Sequence, residues 1–469
     1  MAKCRLSSET VRFGPTTNTQ MSSLTEDSTI RILPDQSQRV LFIRWRIQMN
    51  NSEHKIDYAA YIGLDWGSEK HSVAFKIAGS DDIEIYTLKQ TPEELHAWLC
   101  KLRNQFGGRP MAIAIEQTKG AVIHALLGYD FVHVFRINPK SLADYRKAFS
   151  PGGAKDDPTD AEYLLEWVQL HRNRIKPWVP DDTQTRALQK LVEFRREVVS
   201  QRTALTNKLT QTLKEYFPQA LDWAGDINKV MFYDFLMKWP TLETIKRAKP
   251  DTVRAFYRQH GSRSHKCIEE RLKAVGIAMA LTEDPAVIET STCIVQAIVQ
   301  SLYPIYRSIV RLEKEIKQRF NAHPDNAIFI SFPGAGAAIA PRLLAAMGSD
   351  RSRFESASEV QKYSGIAPVT ERSGKHTWVH WRFACPKFLR QTFHELAGQS
   401  IRFCAWARSY YDRRRNEGMR HHAAIRALAY KWIRIIFRCW QKRTPYSEEI
   451  YVRALQLKGS PISPLLARS

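Results

Sequence analysis

Tyr61-Ile62-Gly63-Leu64-Asp65 is the stretch on which the fold turns, a short apolar run that closes on a carboxylate. Met111-Ala112-Ile113-Ala114-Ile115-Glu116 repeats the form: five apolar residues, then an acid. Runs of this length read as strands covered on both faces. A carboxylate at the end of each emerges at the sheet edge, where α/β folds place their sites. Residues 72–77, 83–86 and 131–135 read as further strands. Thr91-Pro92-Glu93-Glu94 reads as a helix start, with Thr91 as N-cap and Pro92 at the first helical position. Strands and helices alternate, so the class of this region is α/β.

A third acidic group, Asp156-Asp157-Pro158-Thr159-Asp160-Ala161, follows the turn Pro151-Gly152-Gly153. Pro158 fits the first turn of a helix that Asp156 or Asp157 can cap. Asp157 and Asp160, three apart, share one face of that helix. Acids brought together from two strand ends and one helix repel each other unless a cation neutralises them. Their hard oxygens select Mg²⁺ or Mn²⁺. Two such ions polarise a phosphodiester and stabilise the attacking and leaving oxygens. The same residues also read as ordinary N-caps and loop acids, and spacing alone leaves both readings open.

The chain has 469 residues with 43% hydrophobic content, enough for two or three cores. Seventy Lys and Arg against 48 Asp and Glu give a formal charge of +22, which favours a polyanionic partner, nucleic acid before anionic membrane. The seven cysteines are scattered without a CxxC pair, the pattern of reduced thiols and not of a zinc site. No apolar run is long enough to span a bilayer and no signal-peptide core opens the chain, so a cytoplasmic, nucleoid-associated protein is expected. Residues 1–57 mix Ser, Thr and Asn with isolated apolar residues. They read as a disordered arm, or translation begins at Met49.

The expected organisation is α/β followed by all-α. An α/β domain covers 58–180. A helical hairpin or coiled-coil arm covers 181–325, built from apolar seams in 183–217 and 294–320, with an insertion at about 220–293. A mainly helical domain covers 326–460. Arg195 and Arg202 interrupt the first seam. Pro333-Gly334-Ala335-Gly336 before an Ala-rich helix, 340–347, resembles a backbone-binding turn. Gly334 and Gly336 permit close approach, and the helix N-terminus offers free N–H groups to phosphate. Basic amphipathic helices are expected at about 386–415 and 420–443.

Gly63-Leu64-Asp65-Trp66-Gly67, Glu116 and Gly153-Ala154-Lys155-Asp156-Asp157-Pro158-Thr159-Asp160-Ala161 together resemble the DEDD-type insertion-sequence transposases, the 110/1111 group. Later segments match in order and spacing: Gly348-Ser349-Asp350, Tyr363-Ser364-Gly365-Ile366-Ala367-Pro368 and Arg372-Ser373-Gly374-Lys375. The stretch Ala384-Cys385-Pro386-Lys387-Phe388-Leu389-Arg390-Gln391 and the His421-His422-Ala423-Ala424 helix point to the 1111 branch. The resemblance covers roughly 60–455. It implies a RuvC-like domain of RNase H fold, a metal tetrad of Asp65, Glu116, Asp157 and Asp160, and a C-terminal transposase domain. Asp156 falls where the family often has Thr or Ser, and the register favours Asp157 as the ligand.

The resemblance also implies a covalent serine nucleophile, matching Ser373, with Thr370 and Ser364 as alternatives because relatives often double the serine. By itself Ser373-Gly374 reads as a plain turn. Arg372 and Lys375 would flank the phosphate, with Lys387 and Arg390 among the nucleic-acid contacts. A structured guide RNA transcribed from the element, DNA of element end and target, and a homodimer or homotetramer complete what the resemblance implies. A hydrolytic junction endonuclease of the same fold and a non-catalytic nucleic-acid binder are the rival readings, and intact acids at all four positions speak against the second.

Overall fold

A computed structural model describes residues 56–116, 120–149, 156–457 and 459. The expected N-terminal arm up to residue 55 and the Gly-rich turn at 151–153 lie outside the described residues. Two compact units divide between Val179 and Pro180.

The first unit is built on a mixed five-stranded sheet. Strands β1 (Ala60–Asp65), β2 (Lys70–Ile77), β3 (Glu84–Lys89), β4 (Met111–Ile115) and β5 (Val132–Arg136) lie in the order β3-β2-β1-β4-β5. The β1–β2–β3 meander is antiparallel, while β4 and β5 join β1 in parallel. This is the RuvC-like arrangement, and the runs at 61–65 and 111–116 form its two central strands, buried on both faces. Helices α1 (Pro92–Gln105), α2 (Ala121–Leu126), α3 (Pro139–Phe149) and α4 (Asp157–His171) complete the unit. Thr91 caps α1 by accepting from the Glu94 amide at 3.3 Å, with Pro92 in the first turn, as its sequence predicts.

Period-two alternation sorts the side chains of β1 and β4. Ile62, Leu64, Ile113 and Ile115 face one core with Leu95 and Leu99 of α1 and Val122 and Leu126 of α2. Tyr61, Ala112 and Ala114 face the other, against Ala161, Leu164, Leu165 and Val168 of α4. Gly63 belongs to this second face, and the α4 backbone rests directly on it. A Cβ at Gly63 would stand 1.9 Å from the Ala161 carbonyl oxygen and 2.5 Å from the Leu165 nitrogen.

The second unit is largely helical. Helix α5 (Thr183–Tyr216) leads into five short helices: α6 (Ala220–Trp223), α7 (Val230–Lys238), α8 (Leu242–Lys246), α9 (Pro250–Gln259) and α10 (His265–Ile277). Helix α11 (Pro285–Asn321) then returns along α5. The pairing is antiparallel: Leu188 and Val192 at the start of α5 share a core with Ile316 and Phe320 at the end of α11. Leu209 and Leu213 meet Val295, Val299 and Leu302 in a second core, closed by Phe232, Trp239 and Tyr257 of the short helices. Arg195, a break in the apolar seam, donates from Nε to Glu313 Oε1 of α11 at 3.2 Å, so the interruption is a cross-helix ion pair.

Beyond the hairpin follow α12 (Asn326–Ile330), α13 (Gly336–Met347), α14 (Ala357–Tyr363), strands β6 (Val369–Ser373) and β7 (His376–His380), then α15 (Lys387–Phe403), α16 (Ala405–Asn416), α17 (His421–Lys442) and α18 (Glu448–Leu457). Two sequence expectations are corrected here, and one element is new. The helix expected at 386–415 is two helices, broken where Cys404 takes an extended conformation (φ −144°, ψ 116°). The small-residue helix begins at Gly336 and carries Pro341 inside it. The β6–β7 hairpin was not anticipated. Among the described residues no helix is long and apolar enough to cross a membrane, and the six cysteines are free thiols.

A Gly63→Val variant has no room for its side chain without lifting α4 from the sheet. It is expected to lose at least about 3 kcal/mol of stability in the first unit, read by chemical denaturation. A denaturation midpoint equal to wild type would show that α4 is not seated there.

Candidate active site and nucleic-acid interface

Asp65 ends β1, and Glu116 follows the last residue of β4. Leu64 pairs with Ile115, so the two acids come one step later on adjacent parallel strands. Asp65 shares the parity of Tyr61 and Gly63, and Glu116 that of Ala112 and Ala114, which puts both on the α4 face. Both are half-buried. The direction of α4 follows from two contacts. Ala161 and Leu165 lie over Gly63, while Arg172, just past the helix C-terminus, stacks 5.2 Å from the Tyr61 ring. The N-terminus of α4, with Asp157 and Asp160, therefore points toward the β1 end that carries Asp65. All four acids belong to one edge and one face of the first unit.

Their environments differ. Of the two acids expected as the cap, Asp156 takes the N-cap position of α4, and its side chain makes no capping bond. Asp157 is exposed in the first turn. Asp160 is buried, its side chain only 1% exposed, and receives Arg146 of α3. The guanidinium reaches Asp160 Oδ1 through Nε at 2.6 Å and Nη2 at 2.5 Å. Asp160 Oδ2 is buried without a hydrogen-bond partner. An unpaired buried carboxylate oxygen is costly, and a cation is what satisfies it. With hard oxygens at one edge and one of them orphaned, the donor set fits a divalent ion. The side chains are not gathered into a ligand sphere: among the described residues no three His, Cys, Asp or Glu groups are close enough to hold a metal ion. Arg146 supplies the positive charge at Asp160 instead. Sequence reasoning missed Arg146. Nothing in a basic residue fourteen positions upstream, across a Gly-rich turn, marks it as the partner of Asp160.

In the second unit, Ser373 ends β6 and pairs with His376 across the two-residue loop Gly374-Lys375. Gly374 has φ +58°, and Lys375 is not among the positive-φ residues, the pattern of a II′ hairpin turn. Ser373, Arg372 and Lys375 are exposed. Among the described residues no carboxylate lies within ion-pair distance of Arg372, Lys375, Lys387 or Arg390. Of the two alternative nucleophiles, Thr370 is exposed, whereas Ser364 is fully buried with its hydroxyl donating to the Gln361 carbonyl at 3.3 Å. Lys387 opens α15 on the surface, and Arg390 lies one turn further.

Gly334 (φ +80°) packs on α15. A Cβ there would meet the Gln399 backbone carbon at 2.9 Å, so its close approach is to protein. Gly336 opens α13 in free space, and the Ala335 N-cap makes no side-chain bond to the first amides.

A RuvC-like sheet with acids at its central strand ends and on the crossing helix, joined in one chain to a helical unit with an exposed basic hairpin, defines a DEDD-type nucleic-acid recombinase. Comparison with known families agrees. A DEDD transposase model of the IS110 group matches residues 62–218, and a model described as "Transposase IS116/IS110/IS902 family" matches 326–412. The chain belongs to the IS110 family of transposases and is a DEDD-type enzyme. It is 28% identical over 400 residues to the mini-circle putative transposase for IS117 of Streptomyces coelicolor, covering 83% of this chain and 95% of that protein. It is 24% identical to the 43.6 kDa protein of insertion element IS110 of the same organism, over 84% of this chain and 97% of the relative. The 42 kDa protein of IS900 from Mycobacterium paratuberculosis is 26% identical, over 61% of this chain and 71% of that one.

Removing one partner of the buried pair should cost more than removing both. Arg146→Met is expected to destabilise the first unit by about 3–5 kcal/mol, and Arg146→Met with Asp160→Leu to recover most of that loss. Denaturation of the single and double variants measures it. Additive losses would mean the pair is not coupled.

Proposed function

We propose that this transposase cuts and rejoins insertion-sequence DNA through a covalent bond between Ser373 and a DNA phosphate. The observation that carries the reading is the placement of Ser373: an exposed hydroxyl at a tight hairpin tip, between two basic residues that have no acidic partner among the described residues, while Ser364 is buried and bonded. The Ser373 Oγ attacks phosphorus and the Oγ–P bond forms. The phosphorus–oxygen bond to the neighbouring sugar breaks, and the serine proton passes to that leaving oxygen. The reverse step, with a DNA hydroxyl as attacker, rejoins the strand and frees the serine. No ATP is needed, because the seryl ester conserves the phosphodiester bond. Arg372 and Lys375 orient the phosphate and offset its charge.

Asp65, Glu116, Asp157 and Asp160 would hold Mg²⁺ or Mn²⁺, which supplies Lewis-acid stabilisation of charge on the phosphate when bound. Arg146 holds the buried Asp160 carboxylate in place at that edge. The basic balance of +22 and the long α5–α11 hairpin suit a structured guide RNA, gripped through phosphates and shape. Because the acids and Ser373 belong to different units, a homo-oligomer that completes one site from two copies fits this chemistry.

The decisive measurement uses end-labelled DNA on a denaturing gel. Wild type is expected to yield protein-linked DNA. Ser373→Ala is expected to bind DNA and RNA yet lose adduct and cleavage by at least about 10³-fold. Asp65→Asn with Glu116→Gln should lose cleavage while binding persists. Cutting by Ser373→Ala at the wild-type rate, with no adduct in wild type, would transfer the reaction to water activated by the acids. Recombination insensitive to ribonuclease, by a protein with no preference for RNA, would remove the guide.

A further inference from the structure

We propose that Trp381, Arg390 and Arg426 form a phosphate clamp for a DNA strand at the base of the hairpin that carries Ser373. Trp381 directly follows β7, and two guanidiniums lie against its indole. The Arg426 guanidinium carbon sits 3.5 Å from the ring centroid, and that of Arg390 sits 5.3 Å from it. Arg390 comes from α15 and Arg426 from α17, so three separate segments build the cluster. Arg390 also donates to the Arg382 carbonyl at 3.4 Å, which ties α15 to the strand end.

Two guanidiniums drawn to one indole repel each other, and an anion between or beside them relieves that repulsion. Among the described residues no carboxylate lies within ion-pair distance of either arginine. The nearest acid in sequence, Glu395, is engaged by Arg342 and Gln391. The other titratable groups at this place are His394 and His422, with ring centroids 5.7 Å apart, and neither offers negative charge. Burial and the neighbouring Arg390 charge hold the Arg426 guanidinium below its ordinary range, in keeping with a site that lacks its counter-charge. A guanidinium that lies against an aromatic ring keeps in-plane N–H donors for other acceptors, a geometry that suits phosphate oxygens. Trp381, Trp378 and Phe383 remain exposed beside them and offer apolar surface to sugars or bases.

The hairpin also sets a spacing, which rests on Ser373 as the residue that takes the cut phosphate. From His376, the partner of Ser373, to Trp381 is five residues of extended chain, about 17 Å. One strand of B-form DNA carries a phosphate every 3.4 Å of axis, so the clamp lies about five phosphates from the cut. Held at both ends of β7, a strand cannot slide past the hydroxyl by one nucleotide.

The test measures binding by the full-length chain to a fluorescein-labelled 30-bp DNA duplex and to an RNA hairpin of similar length. Arg390→Ala with Arg426→Ala is expected to weaken duplex binding at least tenfold and to flatten the slope of log affinity against log salt by about two. Trp381→Leu changes no charge and is expected to weaken binding at least threefold. Lys101→Ala, which removes an exposed charge on α1, should change it less than twofold. A double-arginine variant no weaker than Lys101→Ala would overturn the clamp. So would a Trp381→Leu variant of unchanged affinity, or a loss confined to the RNA. If the alanine pair fails to fold, Arg390→Gln with Arg426→Gln carries the same expectations. Binding is read without cleavage, so failure of the serine mechanism would appear on the denaturing gel and leave this result standing.

Discussion

The missing side chain at Gly63 lets the backbone of α4 lie directly on the central strand, and the acidic edge of the enzyme depends on that contact. With any other residue there, a Cβ would strike the Ala161 carbonyl, and the helix would have to lift or turn. Seated as it is, α4 runs against β1 and delivers its acidic first turn to the end where Asp65 and Glu116 emerge. The small residues Ala112 and Ala114 on β4 extend the same shallow bed. A packing constraint in the sheet thus decides which carboxylates become neighbours.

Charge is managed differently in the two units. In the first, a buried carboxylate keeps an arginine, because an unpaired charge in an apolar surround would destabilise the helix that carries it. One oxygen is satisfied and the other is left open, so the acid is both held in place and available. In the second unit, among the described residues, Arg372 and Lys375 at the hairpin tip and Arg390 and Arg426 at its base have no carboxylate within ion-pair distance, and the DNA proposed above would supply the missing charge. The acids that offset basic residues elsewhere, such as Glu313 with Arg195 and Asp325 with Arg351, serve helix packing instead.

Much of the fold was legible in the sequence because apolar runs and periodicity report burial directly. The strands at 61–65 and 111–116, the Thr91 cap and the antiparallel pairing of 183–217 with 294–320 all follow from local pattern. The hairpin at 369–380 escaped notice because both strands are exposed nearly throughout. An exposed strand leaves no alternation of apolar and polar residues to read. The break at Cys404 was hidden for the opposite reason: the apolar seam continues across it, and only the packing of Trp406 and Tyr410 against the core redirects the chain.

The candidate site divides along the same line. Sequence alone nominated the four acids, the serine and the basic residues beside it as candidates, the acids through residue type and spacing and the serine through the family resemblance. Only the tertiary structure decided that Asp160 is buried and bound to Arg146, that the Asp156 side chain makes no capping bond, that Ser364 is closed off, and that Trp381 gathers two arginines from different helices. Each of these is a contact between segments far apart in the chain or across a turn. Such contacts depend on where the backbone travels, and no local pattern of residues records that path.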